Sequence, residues 1–558
     1  MASQGAGDME TYVMNRMMML CAISLTAMAA HAAETSAPAP GPILSIPGAA
    51  TVMAIKQGPL EGSSADGVEN FLGIPYAVPP VADMRWKNPR AAGGWTTPRK
   101  ADTFGPNCPM STPNQGPLSE DCLFINVQRP AGLKADAKLP VLVFIHGGTL
   151  AHGLSNTYDM REMIKQNGVI GVTLNYRLGV MGFLGHPAMT KESGGDSGNF
   201  GFLDQQLALQ WVQDNIASFG GDPTQVTIAG ESAGGWSLCA HMVSPVSGKL
   251  YSKAVVESGS CVNIPLKQSE DQGIAVAKSL DCDKATGEEA LGCLRGKSTD
   301  DLLKAGRDIV SRFANGGTVF PMDLNVAMEK GAVNKTPLLI GDNRSEANMF
   351  SFPTAGKDEA FYTNWVKQAW PDLAGEIFKR YPWPSDSNSG TTPTLIGQII
   401  TDSGNLFEVG GCTQIKWSKA LIKQMPVFSY ELIHDKGPGF VTAPNLDEGS
   451  GHGADLLYLF PEISPEKVKK MTPDEKLLAV QMKTQWGQFT KTGTPNGEKL
   501  PVWPTLNESG KLLILTAPPA GRLETLESRH KAHNCDFWDN VPLNTKVQQE
   551  LINLTNVL

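Results

Sequence analysis

The run Leu139-Pro140-Val141-Leu142-Val143-Phe144-Ile145 has no polar position. Such a run predicts a strand covered on both faces, as in a parallel sheet. Residues 169–175 (VIGVTLN), 226–229 (VTIA), 253–257 (KAVVE), 337–341 (PLLIG), 425–432 (MPVFSYEL) and 511–515 (KLLIL) repeat the pattern. Residues 52–60 predict a first strand and turn, and SEDCLFINV (119–127) enters another. In FLGIPYAVPP (71–80) each proline restricts itself and its predecessor, so this segment reads as stiff and extended. Between the strands the period changes to that of an amphipathic helix over 203–216, and a helix-compatible run covers 236–242. Further helices are predicted over 270–280, 288–295, 358–369 and 474–491. Strands alternating with helices predict an α/β fold with a mostly parallel central sheet and helical insertions in its second half.

One junction stands out. Strand 226–229 runs into Gly230-Glu231-Ser232-Ala233-Gly234, and the helix follows directly. A G-x-S-x-G between strand and helix is the setting of a nucleophile elbow. The turn is so tight that the serine's neighbours must be small. The helix beginning there directs free N–H groups at developing negative charge.

Composition narrows the class. The 558 residues are 41% hydrophobic and 18% charged, a globular balance. The net charge of −9 lacks the basic footprint that nonspecific nucleic-acid binding requires. Arg16 precedes a 14-residue apolar run and then His31-Ala32-Ala33. Residues 1–33 therefore read as a signal peptide, too short for a stable membrane anchor, and residues 34–558 as one domain of an exported protein. Eight cysteines remain once Cys21 leaves with the signal, and export permits disulfides among them.

An acyl-transfer serine needs a base, an acid that orients the base, and oxyanion donors. In the elbow arrangement the chain order is serine, acid, histidine. Candidate bases are His452, in the small-residue loop Gly449-Ser450-Gly451-His452-Gly453-Ala454, and His434, His530 and His533. Candidate acids are Glu346 and Asp342, past the strand at 337–341. Backbone N–H groups of Ala233 and of the loop His146-Gly147-Gly148-Thr149 are the candidate oxyanion donors. No H-E-x-x-H, C-x-x-C or phosphate-loop motif occurs, so no metal or cofactor is expected.

The segments FLGIPYAVPP, SEDCLFINV, FIHGG, NYRLGVMGFL, GNFGFLDQQLALQWVQDNIASFGGDP, VTIAGESAGG, GDNRSEANMF and GHGADLLYLF together resemble the type-B carboxylesterases, which include the cholinesterases. The resemblance runs from about residue 57 to residue 538. It implies an α/β-hydrolase fold and hydrolysis of a small-molecule carboxylic ester. It implies Ser232 as nucleophile, Glu346 as acid and His452 as base, with Gly148, Thr149 and Ala233 as oxyanion donors. It also implies disulfides Cys108–Cys122, Cys282–Cys293 and Cys412–Cys535, which leaves Cys239 and Cys261 over, Cys239 reading as a buried helix residue.

Three positions depart from the family. Thr149 stands where a third glycine is usual, Ser345 and Ala347 flank Glu346 in place of Asp and Gly, and the 13-residue loop between Cys108 and Cys122 lacks a tryptophan. The last departure argues against a choline site. A narrower resemblance, to exported bacterial members that remove tricarballylate side chains from fumonisin, implies a polyanionic acyl group. The alternatives are a broad-specificity esterase, an amidase or lactonase with the same triad, and a catalytically silent binding protein on the same fold.

Overall fold

A computed structural model describes residues 45–555 except 112–115, 284–286, 435, 442–444 and 447–448; side chains of 552–555 are also outside it. The expected leader, residues 1–33, and the lead-in as far as residue 44 lie outside the described residues. Residues Pro42–Leu558 form one compact unit.

Its strands are β1 (Ala49–Ile55), β2 (Gly58–Ala65), β3 (Val68–Pro75), β4 (Arg99–Lys100), β5 (Phe124–Pro130), β6 (Leu139–Ile145), β7 (Ile170–Leu174), β8 (Gly221–Glu231), β9 (Lys253–Glu257), β10 (Asn263–Pro265), β11 (Phe313–Asn315), β12 (Leu338–Asn343), β13 (Val427–Leu432), β14 (Lys511–Leu515) and β15 (Arg522–Thr525). All but β10 and β11, which pair with each other, join one sheet of order β1-β2-β3-β5-β7-β6-β8-β9-β12-β13-β14-β15, with β4 beside β2. From β7 to β14 every neighbouring pair is parallel. The strands outside that block, β1 to β5 and β15, attach mostly antiparallel.

Alternation explains why β6 is apolar throughout. Val141, Val143 and Ile145 face one core, while Leu142 and Phe144 face the other. The first core packs on the helix Phe200–Asn215 through Phe202, Ala208, Leu209 and Val212, and on the helix Ala233–Val243 through Trp236, Leu238 and Ala240. The second packs on the helix Pro473–Thr492 through Leu478, Met482, Trp486 and Phe489. Each such side chain contributes roughly 1.5–3 kcal/mol on burial, so neither face tolerates a polar strand residue without a partner.

Several elements differ from the sequence reading. The segment read only as stiff and extended supplies five of the eight residues of β3, and β8 starts five residues before the predicted strand. The helix expected at 203–216 begins at Phe200 and buries Asp204 and Gln205 as well as its apolar residues. Both are engaged by neighbours: Arg177 pairs with Asp204, and the Gln205 amide N–H donates to Ser237 Oγ. The helices Glu359–Ala369, Ala374–Arg380, Thr391–Asp402 and Gly411–Leu421 are inserted between β12 and β13.

Cys108–Cys122, Cys282–Cys293 and Cys412–Cys535 are bonded. Cys239 and Cys261, left over in the sequence reading, form a fourth disulfide. The helix after β8 lies so close to the loop after β9 that a Cβ on Gly235 would come within 2.7 Å of Gly259 Cα. One helical turn beyond Gly235 lies Cys239, and two residues beyond Gly259 lies Cys261, which sets their Cα atoms 5.5 Å apart. Nothing in the local sequence shows this approach, because it arises from the β8–helix–β9 crossover. The enclosed loop of 22 residues corresponds to about 3 kcal/mol of stabilisation. Peptide mapping without reductant should link the two cysteine peptides, and Cys239→Ala/Cys261→Ala should lose about that stability in denaturant unfolding. Two free thiols in the native protein would contradict the pairing.

Candidate active site

The predicted site residues converge at the carboxyl ends of the parallel strands, where open α/β sheets bind ligands. Gly147, Gly148 and Thr149 follow β6, Ser232 follows β8, Glu346 follows β12, and His452 lies in the loop after β13.

Ser232 has φ 56° and ψ −123°, a backbone conformation that a non-glycine residue occupies only under constraint. Close packing supplies the constraint. A Cβ on Gly234 would lie 2.1 Å from the carbonyl oxygen of Ile145, at the end of β6. Ser232 N–H donates to Glu257 O at 3.0 Å, and Ser232 O accepts from Trp236 N–H at 2.9 Å. The side chain is 6% exposed. Ala233 opens the helix, so its N–H has no intrahelical acceptor.

The loop after β6 folds back on itself, with Gly148 O accepting from the N–H groups of Ala151 and His152. Gly148 has φ 103° and Thr149 φ 54°. A β-branched residue at positive φ is strained. The Thr149 hydroxyl donates to Gly148 O at 2.8 Å and fastens the turn. His146 takes no direct part in the cluster. Its ring stacks on Tyr176 at 4.4 Å, and burial lowers its pKa to about 4, which keeps it neutral.

His452 and Glu346 are joined by a 2.6 Å hydrogen bond between Nδ1 and Oε2. The other oxygen of Glu346 accepts from Ser258 Oγ–H at 2.6 Å and Asn343 N–H at 2.7 Å, so the carboxylate cannot rotate freely. The opposite ring nitrogen, Nε2, lies 3.3 Å from Glu231 Oε1. Glu231 and Ser232 both border Gly147: a Cβ there would stand 3.0 Å from Ser232 Cβ and 3.1 Å from Glu231 Oε2. Phe350 lies against the His452 ring at 5.6 Å.

The rival candidates are engaged elsewhere. His434 Nε2 pairs with Glu475 at 3.0 Å, within the capping box of the helix Pro473–Thr492. His530 pairs with Asp539 at 3.0 Å. His533 lies between Asp402 and Glu431, at 2.6 and 2.9 Å. Asp342 accepts from Arg529 at 2.5 and 2.7 Å.

Sequence reasoning missed two buried acids beside the histidine, Glu231 and Asp455, and Glu257 next to them. Glu231, Glu257 and Asp455 are at most 4% exposed. Burial raises the pKa of each, that of Glu231 to about 8. Trp486 Nε1–H donates to Glu257, while the Tyr430 hydroxyl donates to Asp455 at 2.9 Å. Burial alone would lower the pKa of His452, but the carboxylates of Glu231 and Glu346 outweigh it and raise the ring above its ordinary 6.5. Glu231 was in view inside the elbow motif, and Ser258 follows β9 in a plain Glu-Ser-Gly-Ser sequence. Only the folded sheet shows that they touch the histidine and its acid.

Comparison with known proteins gives the same assignment along most of the chain. Residues 49–538 match the carboxylesterase family. The chain is 31% identical over 529 residues to human cocaine esterase, covering 88% of this chain and 90% of that one. It is 30% identical over 489 residues to the fumonisin B1 esterase of Sphingopyxis macrogoltabida, covering 82% and 85%. Among solved structures, a PNB esterase superposes with a TM-score of 0.71 at 29% identity, covering 87% of this chain and 99% of the other. With the parallel sheet and the strand-end cluster described above, the chain belongs to the carboxylesterase family and is a carboxylic-ester hydrolase of the α/β-hydrolase fold.

Proposed function

We propose that Ser232, His452 and Glu346 are the catalytic triad of this hydrolase. The observation that carries the reading is the 2.6 Å bond from His452 Nδ1 to a Glu346 carboxylate held on its other oxygen by Ser258 and Asn343. That bond fixes the imidazole with its proton on Nδ1 and its lone pair on Nε2. His452 takes the Ser232 proton as Oγ bonds to the ester carbonyl carbon. The oxyanion is received by the N–H groups of Gly148, Thr149 and Ala233. The carbon–oxygen bond to the alcohol then breaks, and the alcohol leaves with the proton from His452. Water, deprotonated by His452, attacks the acyl-enzyme and releases the acid and Ser232.

The Ser232 hydroxyl makes no hydrogen bond among the described residues, and Nε2 faces Glu231 instead. Catalytic hydrogen bonds of this kind tighten when substrate arrives.

We read the protein as exported. Four disulfides support this, since such bonds persist in oxidising compartments. Among the described residues no helix is long and apolar enough to cross a membrane. The relative named fumonisin B1 esterase supports a finer reading, removal of tricarballylate side chains from fumonisin.

Hydrolysis of p-nitrophenyl butyrate by the mature protein and by Ser232→Ala tests the nucleophile, with fumonisin B1 given to both samples. The variant is expected to lose about 10⁴-fold or more in kcat. Equal rates would place the nucleophile elsewhere. If the simple ester is cleaved and the toxin is not, the tricarballylate reading fails and the triad stands.

The acids around His452 generate a pH prediction. A base works only when neutral, so a raised pKa moves the rising limb of kcat/KM to higher pH. Glu231→Gln removes one negative neighbour and should move that limb to lower pH. A limb that stays in place would show that Glu231 does not act on the ring. Ser258→Ala should reduce kcat/KM by about tenfold, the equivalent of one hydrogen bond to a charged acceptor. An unchanged value would mean that the Asn343 N–H suffices to hold Glu346.

A further inference from the structure

Arg312 immediately precedes β11, whose pairing with β10 sets Phe313 opposite Asn263. Its side chain is only partly exposed, and Nε is buried with no hydrogen-bond partner. Among the described residues the guanidinium makes no ion pair. A desolvated guanidinium with open donors is costly to maintain, and the group that satisfies it best is a planar carboxylate bound through two N–H groups.

A chain of contacts links Arg312 to the elbow helix. Glu408 lies near enough to influence Arg312 but is not bonded to it; its carboxylate accepts from Asn325 Nδ2–H at 3.1 Å. Asn325 also donates to Cys261 O at 3.4 Å, in the loop after β9 that is joined by disulfide to the elbow helix. Phe407, the residue before Glu408, packs edge-on against Trp236 at 5.6 Å. Trp236 stands one helical turn after Ser232. Phe407 and Glu408 are successive non-glycine residues at positive φ, 50° and 61°. Strain of that kind persists where the surroundings over-determine the backbone, commonly at ligand clamps.

We propose that Arg312 is a specificity-determining residue that binds a free carboxylate on the acyl part of the ester, so that the preferred substrates are monoesters of di- or polycarboxylic acids. Glu408 sets the strength of the preference: its negative charge opposes an incoming carboxylate, and its protonation or removal favours one. The inference rests on the Ser232 reading above and adds to it the charge of the substrate and the residue that selects it.

The test compares 4-methylumbelliferyl monoesters of adipic and suberic acid with neutral heptanoate and nonanoate esters of similar length. The quantity read is the ratio of kcat/KM for the anionic ester to that for its neutral partner. The wild-type protein should favour the anionic ester at one or both lengths. Arg312→Gln should lower the ratio by about 10- to 100-fold, the range of a charge-assisted hydrogen-bond pair. Arg312→Lys should fall between, since lysine keeps the charge but not the fork. Glu408→Gln should raise the ratio, and this arm decides the question if Arg312→Gln does not fold.

A wild-type preference for neutral esters at both lengths would overturn the proposal while leaving the esterase intact. So would an unchanged ratio in Arg312→Gln or Glu408→Gln. If wild type cleaves neither class faster than Ser232→Ala, the nucleophile assignment fails and the inference falls with it.

Discussion

The contact between the start of the elbow helix and the end of β6 is the constraint on which the site depends. Gly234 lies so near Ile145 O that no side chain fits between them. That approach does two things at once. It forces Ser232 into a backbone conformation that L-residues avoid, and it brings the first free N–H of the helix beside the loop of Gly148 and Thr149. The energy that sustains the strain comes from the two cores on either face of the sheet, since Trp236, Leu238 and Ala240 cannot leave their packing to relax the turn. The serine is thus held by apolar burial at a distance rather than by bonds to its own side chain.

Electrostatics around the histidine obeys a second constraint. Glu231, Glu346 and Asp455 are buried near one imidazole, with Glu257 next to Glu231 and Asp455, more acids than one cation can balance. Burial opposes charge on three of them and raises the pKa of Glu231, Glu257 and Asp455. Glu346 differs in having two fixed donors besides the histidine, so hydrogen bonds hold both of its oxygens. The acids that raise the pKa of His452 would likewise favour an imidazolium formed there by proton transfer.

Much of this was legible in the sequence, for a physical reason. A strand buried on both faces has to be largely apolar, so the parallel strands announced themselves, and β9 and β14 match their predicted bounds. Ser232, Gly148 and Ala233 were legible because their geometry demands small neighbours in a fixed order. The choice between Glu346 and Asp342, or between His452 and His533, was not legible from spacing, since each pair holds the same chemistry at similar places. What separates them is a partner distant in sequence: Asp342 is taken by Arg529, and His533 by Asp402 and Glu431. The Cys239–Cys261 bond was illegible for the same reason, because it depends on how closely a crossover helix approaches the following loop.

Those distant partners are a structural device in their own right. Asp342 and Glu431, at the carboxyl ends of β12 and β13, meet Arg529 and His533 from the last part of the chain, with Arg344 and Asp402 completing the set. Three carboxylates face three cationic side chains, so the group is close to neutral overall. Burial opposes a charge on His533, yet Asp402 and Glu431 raise its pKa to about 9 and keep it protonated. Removing one member of such a buried set costs about 3–5 kcal/mol, because its partner is left charged without a counter-ion. The loops carrying Glu346 and His452 spring from the two strand ends that this network clamps. The Cys412–Cys535 bond fastens the same C-terminal segment to the inserted helix Gly411–Leu421. The C-terminal segment, though remote from Ser232 in sequence, therefore helps to set the spacing between Glu346 and His452.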